Sequence, residues 1–437
     1  MLKKWQKRQL TKKWSPQKFH QKGGYFTDFV KIAWKVGSRK GEPPEIYPKF
    51  IAKQSKDLMI RGGDFYAVWD ESKGCWSTCQ DDVVNMIDHE MEKFKAANSD
   101  NLGSAHIAYM WDADSGSIDK WRKYVTRQVA DNYHPLDEKL VFSNSEPRRE
   151  DYSSKHLDYA LEEGPHEAWD ELIGTLYSPT ERHKIEWMIG AVVSGESKTL
   201  QKFLVFYGDS GTGKSTILNV IQKLFDGYYG MFDAKALGSA NAEFALEAFK
   251  TNPLVAIQHD GDLSRIEDNT RLNSLVSHEE IPINEKFKSQ YSMRIHSMLF
   301  MGTNRPVKIT DSKSGVIRRL IDVSPTGNKI PNRRYNQLVK NVNFELGAIA
   351  KHCLDIFEED PHYYDDYVPK SMVGATNDFF NFMEEYFEEF KNNDYVTLND
   401  AWFKYRIYCD DAKVPYPYSK RIFKEELKNY FKTFRER

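Results

Sequence analysis

Apolar and polar positions alternate in two rhythms along this chain. Phe203 to Phe206 is a continuous apolar run that breaks into a glycine-rich turn and restarts with helical periodicity over Thr216 to Leu224. A short run that is apolar on both faces predicts a buried parallel strand. Further runs of this kind follow at Leu254 to Ile257, within SMLFMGTN, and at Leu320 to Val323. Helical periods precede them in PHEAWDELIGTLYSP and TERHKIEWMIGAVVSG, with starts at Pro165 and Thr180 and a stop at Gly195, and another helical run spans Ala236 to Lys250. Strands alternating with helices predict an α/β fold.

The flanks read differently. MIRGGDFYAVWDESKGCW alternates around a turn as a β-hairpin does, and helical periods return over Asp82 to Ala96 and Ser117 to Val129. After Pro325 the chain is helical to about Asp366 and then acidic, EEDPHYYDDYVP, the composition of a solvated linker. NDFFNFMEEYFEEFK predicts an amphipathic helix with its apolar face at 379, 383, 386, 387 and 390. YVTL predicts a short strand, DAWFKYRIYCDDA a helix, and Ser419 caps a last helix, SKRIFKEELKNYF. Strand, helix, turn and helix, with Lys420, Arg421 and Lys424 at the last helix's start, look like a winged-helix domain, placed against DNA or packed on the rest of its own assembly. The chain stops at FKTFRER, where a wing would begin, so a truncated C-terminus is expected.

Composition narrows the classes. A chain of 437 residues with a formal charge of -2 is no basic nucleic-acid coat, so any such contact must come from local patches. One patch is residues 1 to 40, with twelve Lys or Arg against Asp28, interleaved with Trp5, Trp14, Phe19, Tyr25 and Trp34. Cations for phosphates and rings for bases suit a nucleic-acid arm. A solvated leader whose aromatic residues dock on the next domain fits the same pattern. Cys75, Cys79, Cys353 and Cys409 have no zinc-ligand spacing and read as reduced thiols. No apolar stretch reaches the roughly 18 residues that cross a bilayer, which predicts no membrane contact and a cytoplasmic protein. Asp112 and Asp114, two apart in AYMWDADSGS, invite a metal-site reading, but turn chemistry explains them and no primer synthesis is expected.

The chemistry concentrates at FLVFYGDSGTGKSTI. Gly208, Gly213, Lys214 and Ser215 satisfy G-x-x-x-x-G-K-S after a strand and before a helix, a phosphate-binding loop. Glycines admit a polyphosphate close to the backbone, so Gly208, Asp209, Ser210, Gly211, Thr212, Gly213, Lys214, Ser215 and Thr216 are the expected nucleotide-binding residues. Lys214 would reach the β- and γ-phosphates of ATP, and the Ser215 hydroxyl would complete the shell of Mg²⁺. Asp260 and Asp262 lie just past the second apolar run, where one would hold Mg²⁺ and the other polarise water. Asn304 ends the third run and would contact the γ-phosphate or its water; Arg318 and Arg319, in GVIRRL, supply an arginine-finger candidate.

Taken together, GDSGTGKST, LVAIQHDGD, FMGTN and GVIRRL resemble, in order and spacing, the superfamily 3 helicases, and more narrowly the helicase half of phage, plasmid and poxvirus primase-helicases. The resemblance covers roughly Trp169 to Val323. It implies an AAA+-type P-loop core, a mixed α+β N-terminal region and the C-terminal winged-helix-like domain. It also implies a ring, usually a hexamer, that hydrolyses ATP at subunit interfaces and pulls single-stranded DNA through its centre. On that reading Lys214 and Ser215 hold nucleotide and Mg²⁺, Asp260 is the acidic strand-end residue, Asn304 the sensor, and Arg318 or Arg319 acts on the neighbour's ATP. The family generally has adjacent acids, whereas here His259 precedes Asp260 and Gly261 separates it from Asp262. A channel hairpin would fall in EEIPINEKFKSQYSMRIHSM, with Lys286, Phe287 and Lys288 at its tip gripping DNA. The implied domains are an arm over 1–47, an α+β domain over 48–164, the core over 165–350, an acidic linker over 351–374 and the winged-helix-like domain over 375–437. The expected function is an ATP-dependent replicative DNA helicase of phage or mobile-element type, acting on single-stranded and forked DNA beside a separate primase or polymerase in a bacterial host. The alternative is an AAA+ initiator or loader that uses ATP as an assembly switch; a P-loop kinase is a distant third.

Overall fold

A computed structural model describes residues 30–35, 43–50, 60–61, 66–102, 105–110, 133–134, 136, 139–239, 245–264, 268–284, 291–307 and 315–435. The chain divides into two compact units, Met1–Asp158 and Tyr159–Arg437.

In the first unit Val30–Lys35 pairs antiparallel with Glu45–Phe50, which in turn pairs parallel with His106–Ile107. The stretch read as an arm thus contributes strands from Val30 onward, and its earlier residues lie outside the described ones. The expected hairpin is present as Tyr66–Asp70 against Cys75–Ser77, closed by Gly74 N–H donating to the Asp70 carbonyl. The helix expected over Asp82 to Ala96 runs Gln80–Ala97 and buries Met91 and Phe94 against Ile46 and Ile107. Asp112, Asp114 and the helical run from Ser117 fall outside the described residues. The four cysteines are free thiols, and Cys75 is buried.

The second unit is built on a five-stranded parallel sheet. Its strands are β1 (Phe203–Tyr207), β2 (Tyr229–Met231), β3 (Val255–Gln258), β4 (Met298–Thr303) and β5 (Leu320–Val323), in spatial order β2-β3-β4-β1-β5. Every neighbouring pair is parallel. The fold is therefore α/β, and the continuous apolar runs are its strands because both faces of the sheet are covered. Six residues of β4 and four of β5 are buried throughout. On one face Val205, Ala256, Leu299 and Met301 pack with Phe249, Leu272 and Leu275.

Helices α1 (Glu167–Leu176) and α2 (Pro179–Val193) precede the sheet, α3 (Lys214–Leu224) follows β1, α4 (Thr270–Val276) follows β3, and α5 (Asn332–Glu359) follows β5. Ser178 caps α2 by accepting from Glu181 N–H, with Pro179 at the first helical position. A carboxylate from another helix caps α1: Glu345 of α5 accepts from Ala168 N–H and Trp169 N–H at 3.1 and 3.0 Å. Negative charge at that end is favourable because the unpaired N–H groups there carry partial positive charge.

Four expectations change. The long helix expected over Ala236 to Lys250 is a short Ala234–Leu237 helix, capped by Asp233, and a 3-10 turn at Glu247–Phe249. Helical residue types were present, but residues 250–254 must turn the chain into β3, and Asn252 sits at φ +47° with Pro253 next.

The stretch read as a solvated linker is packed instead. Residues 351–359 continue α5, Tyr364 is buried, and Met372 and Val373 join the core beside the sheet. Its acidic residues face outward while Tyr364 and Tyr367 face in and Tyr363 stays exposed. Charge density hid this.

The strand expected at YVTL is the N-terminus of a helix. The Thr397 hydroxyl accepts from Asp400 N–H at 3.1 Å, so Thr397 caps α7 (Leu398–Asp411) despite its β-propensity. The single helix expected from Asn377 is two, α6 (Asp378–Glu385) and Phe387–Asn392, with Phe382 fully buried and Phe387 half-exposed. With α8 (Lys420–Leu427) these bury Phe379, Phe382, Tyr405 and Phe423 in one aromatic core. Within the described residues after 375 the assigned elements are all helical.

Candidate functional site

The turn between β1 and α3 is shaped by glycine. Gly213 has φ +92°, and a Cβ there would come within 2.8 Å of the Leu176 side chain, so backbone conformation and packing both require its absence. Lys214 is the first residue of α3 and is buried to 7% exposure. Its ammonium donates to the Gly208 and Asp209 carbonyls, both at 2.8 Å, and to Asn304 Oδ1 at 2.7 Å. Burial holds its pKa below the ordinary lysine value, and the negative charges of Asp260 and Asp209 act in the opposite sense.

Strand order brings the other residues here. β4 lies between β1 and β3, so its end, Asn304, is beside the loop, and Asp260 follows one strand further on. The acidic turn lies tight against β4: Gly261 N–H donates to the Gly302 carbonyl at 2.7 Å, and a Cβ on Gly302 would sit 2.5 Å from the His259 carbonyl. The two carboxylates therefore differ. Asp260 lines a cleft of about 500 Å³ together with Lys214, Ser215, His259 and Asn304. Asp262 does not line it; its carboxylate accepts from Ser264 N–H at 2.9 Å and from Arg305 at 3.1 Å. The Ser264 contacts hold the Asp262 carboxyl below the usual carboxylate range.

The two arginines part in the same way. Arg319 is buried, donating to Ser277 Oγ at 2.6 and 3.0 Å and to the Gly315 carbonyl at 2.8 Å. Burial, then the positive charge of Arg318, lowers its pKa. Arg318 is exposed, and its carbonyl accepts from the Lys202 ammonium at 2.7 Å.

Of the remaining loop residues, Ser210, Gly211, Ser215 and Thr216 line the cleft, and Thr212 Oγ1 donates to the Asp209 carbonyl at 2.8 Å. Gly208 N–H donates to the Thr303 carbonyl at 3.2 Å, tying the loop to β4. The two β-like segments around EKFKSQ pair antiparallel, Glu280–Ile283 with Tyr291–Arg294. Lys286, Phe287 and Lys288 lie outside the described residues.

The cleft's other wall had no local signal in the sequence. Leu176, Ile330 and Tyr335 form it, with Asn328, Lys329 and Asn332 at its rim. The segment after β5 is held to α1 by Thr326, whose N–H donates to the Leu176 carbonyl at 2.8 Å and whose hydroxyl donates to the Thr175 carbonyl at 2.9 Å. Only the folded chain brings residues 326–335 to the loop.

Among the described residues no three His, Cys, Asp or Glu side chains are arranged to hold a metal ion. Mg²⁺ needs no such set, because it is bound by one or two protein oxygens plus substrate phosphates and waters. The exposed Ser215 and Asp260 on the rim of one cleft fit that mode. Among the described residues no helix is long and apolar enough to cross a membrane.

A family of unknown function, DUF5906, matches residues 206–319. The match takes in the loop, both acids, Asn304 and both arginines. Among solved structures, the apo C-terminal region of NrS-1 is similar at 15% identity and a TM-score of 0.41, over 63% of this chain and 74% of that one. Two A-form apo structures of the same region give 17% identity with a TM-score of 0.41, over 63% and 74%, and 16% with 0.37, over 63% and 75%.

Proposed function

We propose that this chain is an ATP-hydrolysing motor, a replicative DNA helicase of phage or mobile-element type that works as a ring. The observation that carries the reading is the meeting of Lys214 with Asn304 at 2.7 Å in a cleft that Asp260 also lines. Three separate strand ends supply a cation, an amide and a carboxylate where a glycine loop leaves room for phosphates. The order β2-β3-β4-β1-β5, with the loop after β1, the acid after β3 and the amide after β4, supports an AAA+-type core.

In this reading the Lys214 ammonium exchanges its three neutral partners, Asn304 among them, for β- and γ-phosphate oxygens. Bound Mg²⁺ would neutralise charge developing on those oxygens, held by Ser215 and Asp260. Asn304 Oδ1, released by Lys214, accepts a hydrogen bond from the attacking water and orients it. Asp260 is better placed than Asp262 to act on that water, since Asp262 is engaged by Ser264 and Arg305. Arg318, exposed, serves a neighbouring protomer's site as the finger, while Arg319 braces the turn that carries it. The Glu280–Ile283 and Tyr291–Arg294 pair supports a DNA-gripping hairpin with Lys286, Phe287 and Lys288 at its end.

Strand displacement on forked DNA with Mg²⁺ and ATP tests the reading. Unwinding that stops in Lys214→Ala is expected. Hydrolysis without unwinding would instead favour an ATP-switched initiator or loader, and neither activity would reject both.

A further inference from the structure

The cleft beside the loop is lined by two chemically different sets of residues. Lys214, Ser215, Asp260 and Asn304 are polar, and Leu176, Ile330 and Tyr335 form an apolar wall. We propose that this wall is a nucleobase subsite, with the ring of Tyr335 as its stacking face; the proposal rests on the nucleotide reading above and adds the part of the ligand that the phosphate loop does not touch.

Position argues for it first. The Tyr335 hydroxyl lies 3.3 Å from Thr216 Oγ1, one residue past the Ser215 hydroxyl assigned to the metal. A group attached to phosphates in the loop therefore has the ring within reach, and the cleft volume of about 500 Å³ is in the range of small-ligand sites.

Exposure argues second. Leu338 and Val342 continue the same stripe of α5 and are 1% exposed, as core residues are. Tyr335, one turn earlier, is only half-buried, as is Ile330. The stripe leaves the core at Tyr335 and enters the cleft with an aromatic face still open.

The wall is also held in place. Arg334 forms a two-pronged ion pair with Glu171 of α1, one arm at 2.7 Å, and Thr326 fastens the preceding segment to Leu176. A pre-set platform lowers the ordering cost of binding. Asn328 and Asn332 line the same cleft, so amides are available to the edge of a stacked ring. An aromatic face accepts any base, so these amides and not Tyr335 would set preference among bases.

The experiment is calorimetric titration of the full chain, in Mg²⁺, with ADP and separately with inorganic tripolyphosphate, which has the phosphates and no base. Tyr335→Ala is expected to weaken ADP roughly ten- to hundredfold and leave tripolyphosphate unchanged, whereas Tyr335→Phe keeps both. Ile330→Ala, in the loop and outside the helix, is expected to weaken ADP alone by roughly threefold to tenfold, and decides the matter if Tyr335→Ala does not fold. Unchanged ADP affinity in Tyr335→Ala, equal losses for both ligands, or a Tyr335→Phe loss as large as that of Ala would overturn the subsite while leaving the phosphate site standing. A wild-type chain that binds neither ligand would overturn both.

Discussion

Two lysines of the second unit look alike by burial and behave differently. Lys184 and Lys214 are 6% and 7% exposed, and each ammonium donates to three oxygens. Lys184 lies under β5 with Glu181 Oε1, the Asp322 carbonyl and the Tyr367 hydroxyl, each at 2.8 Å. Tyr367 in turn donates to the Asp322 carboxylate, and the Lys202 ammonium bridges the Arg318 and Asp365 carbonyls at 2.7 and 2.9 Å. That region is a closed polar strut between the sheet edge and residues 360–369. Lys214 opens on a cleft and its three partners are neutral. A buried cation held by neutral oxygens beside open space can exchange them for an anion; one already paired with a carboxylate in a closed strut cannot do so cheaply.

The comparison can be broken by exchanging the two positions' phenotypes. Lys214→Ala should reduce ATP hydrolysis to background, a loss of at least about a thousandfold, with little change in thermal midpoint. Lys184→Ala should do the reverse, costing about 3 to 5 kcal/mol of stability in denaturant titration because Glu181 loses its buried partner, while ADP affinity persists. Equal phenotypes would erase the distinction.

The arginines sharpen the same contrast. Arg318→Ala should lower turnover about a thousandfold at constant stability. Mixed with Lys214→Ala protomers, it should give activity that varies nonlinearly with the mixing ratio. Arg319→Ala should instead lose about 2 to 3 kcal/mol, since it removes a buried side chain and its hydrogen bonds to Ser277 and the Gly315 carbonyl.

Smaller again is the difference between the acids. Asp260→Asn should cost roughly a hundredfold in hydrolysis, and Asp262→Asn no more than about threefold, because its ion pair with Arg305 is exposed. Asp262, with its folded pKa lowered, contributes stability above the ordinary aspartate value of about 3.9 that is lost as pH falls through the folded pKa.

The least of these effects concerns protons on Lys214. Its pKa is depressed by burial, so the folded chain holds fewer protons than the unfolded one in the window just below the ordinary value of about 10.4, and stability rises with pH there. Phosphates bound beside the ammonium should restore the proton. ADP binding in that window should therefore show proton uptake by calorimetry in two buffers, and Lys214→Arg should not.

Four of the five strands and the loop were legible in the sequence because both obey local rules: buried parallel strands read as unbroken apolar runs, and the glycine and lysine spacing is fixed by close contact with phosphate; the partly exposed edge strand β2, YGM, carries no such run and was missed. The hairpin of 280–294 and the helices before the loop were legible for similar reasons. Three features were not. Asp260 and Asp262 differ only because the turn packs on Gly302 and Arg305 reaches one of them, which no spacing encodes. Arg318 and Arg319 are adjacent in sequence, and a 3-10 turn at Ile317–Arg319 sends one inward and the other out. Tyr335 and Ile330 reach the cleft through the fold of α5 against α1, a contact across more than 150 positions. Charge misled at 360–369, where Tyr364 and Tyr367 turn inside and the acids outside, and β-propensity misled at Thr397, where a local cap outweighed it.

Phosphate release from ATP in Mg²⁺, measured side by side for the wild-type chain and Lys214→Ala, tests the central claim most directly. Steady release by the wild type and none above background by the variant is the predicted result. Release that persists unchanged in Lys214→Ala, or none from either protein with Mg²⁺ and DNA present, would contradict it.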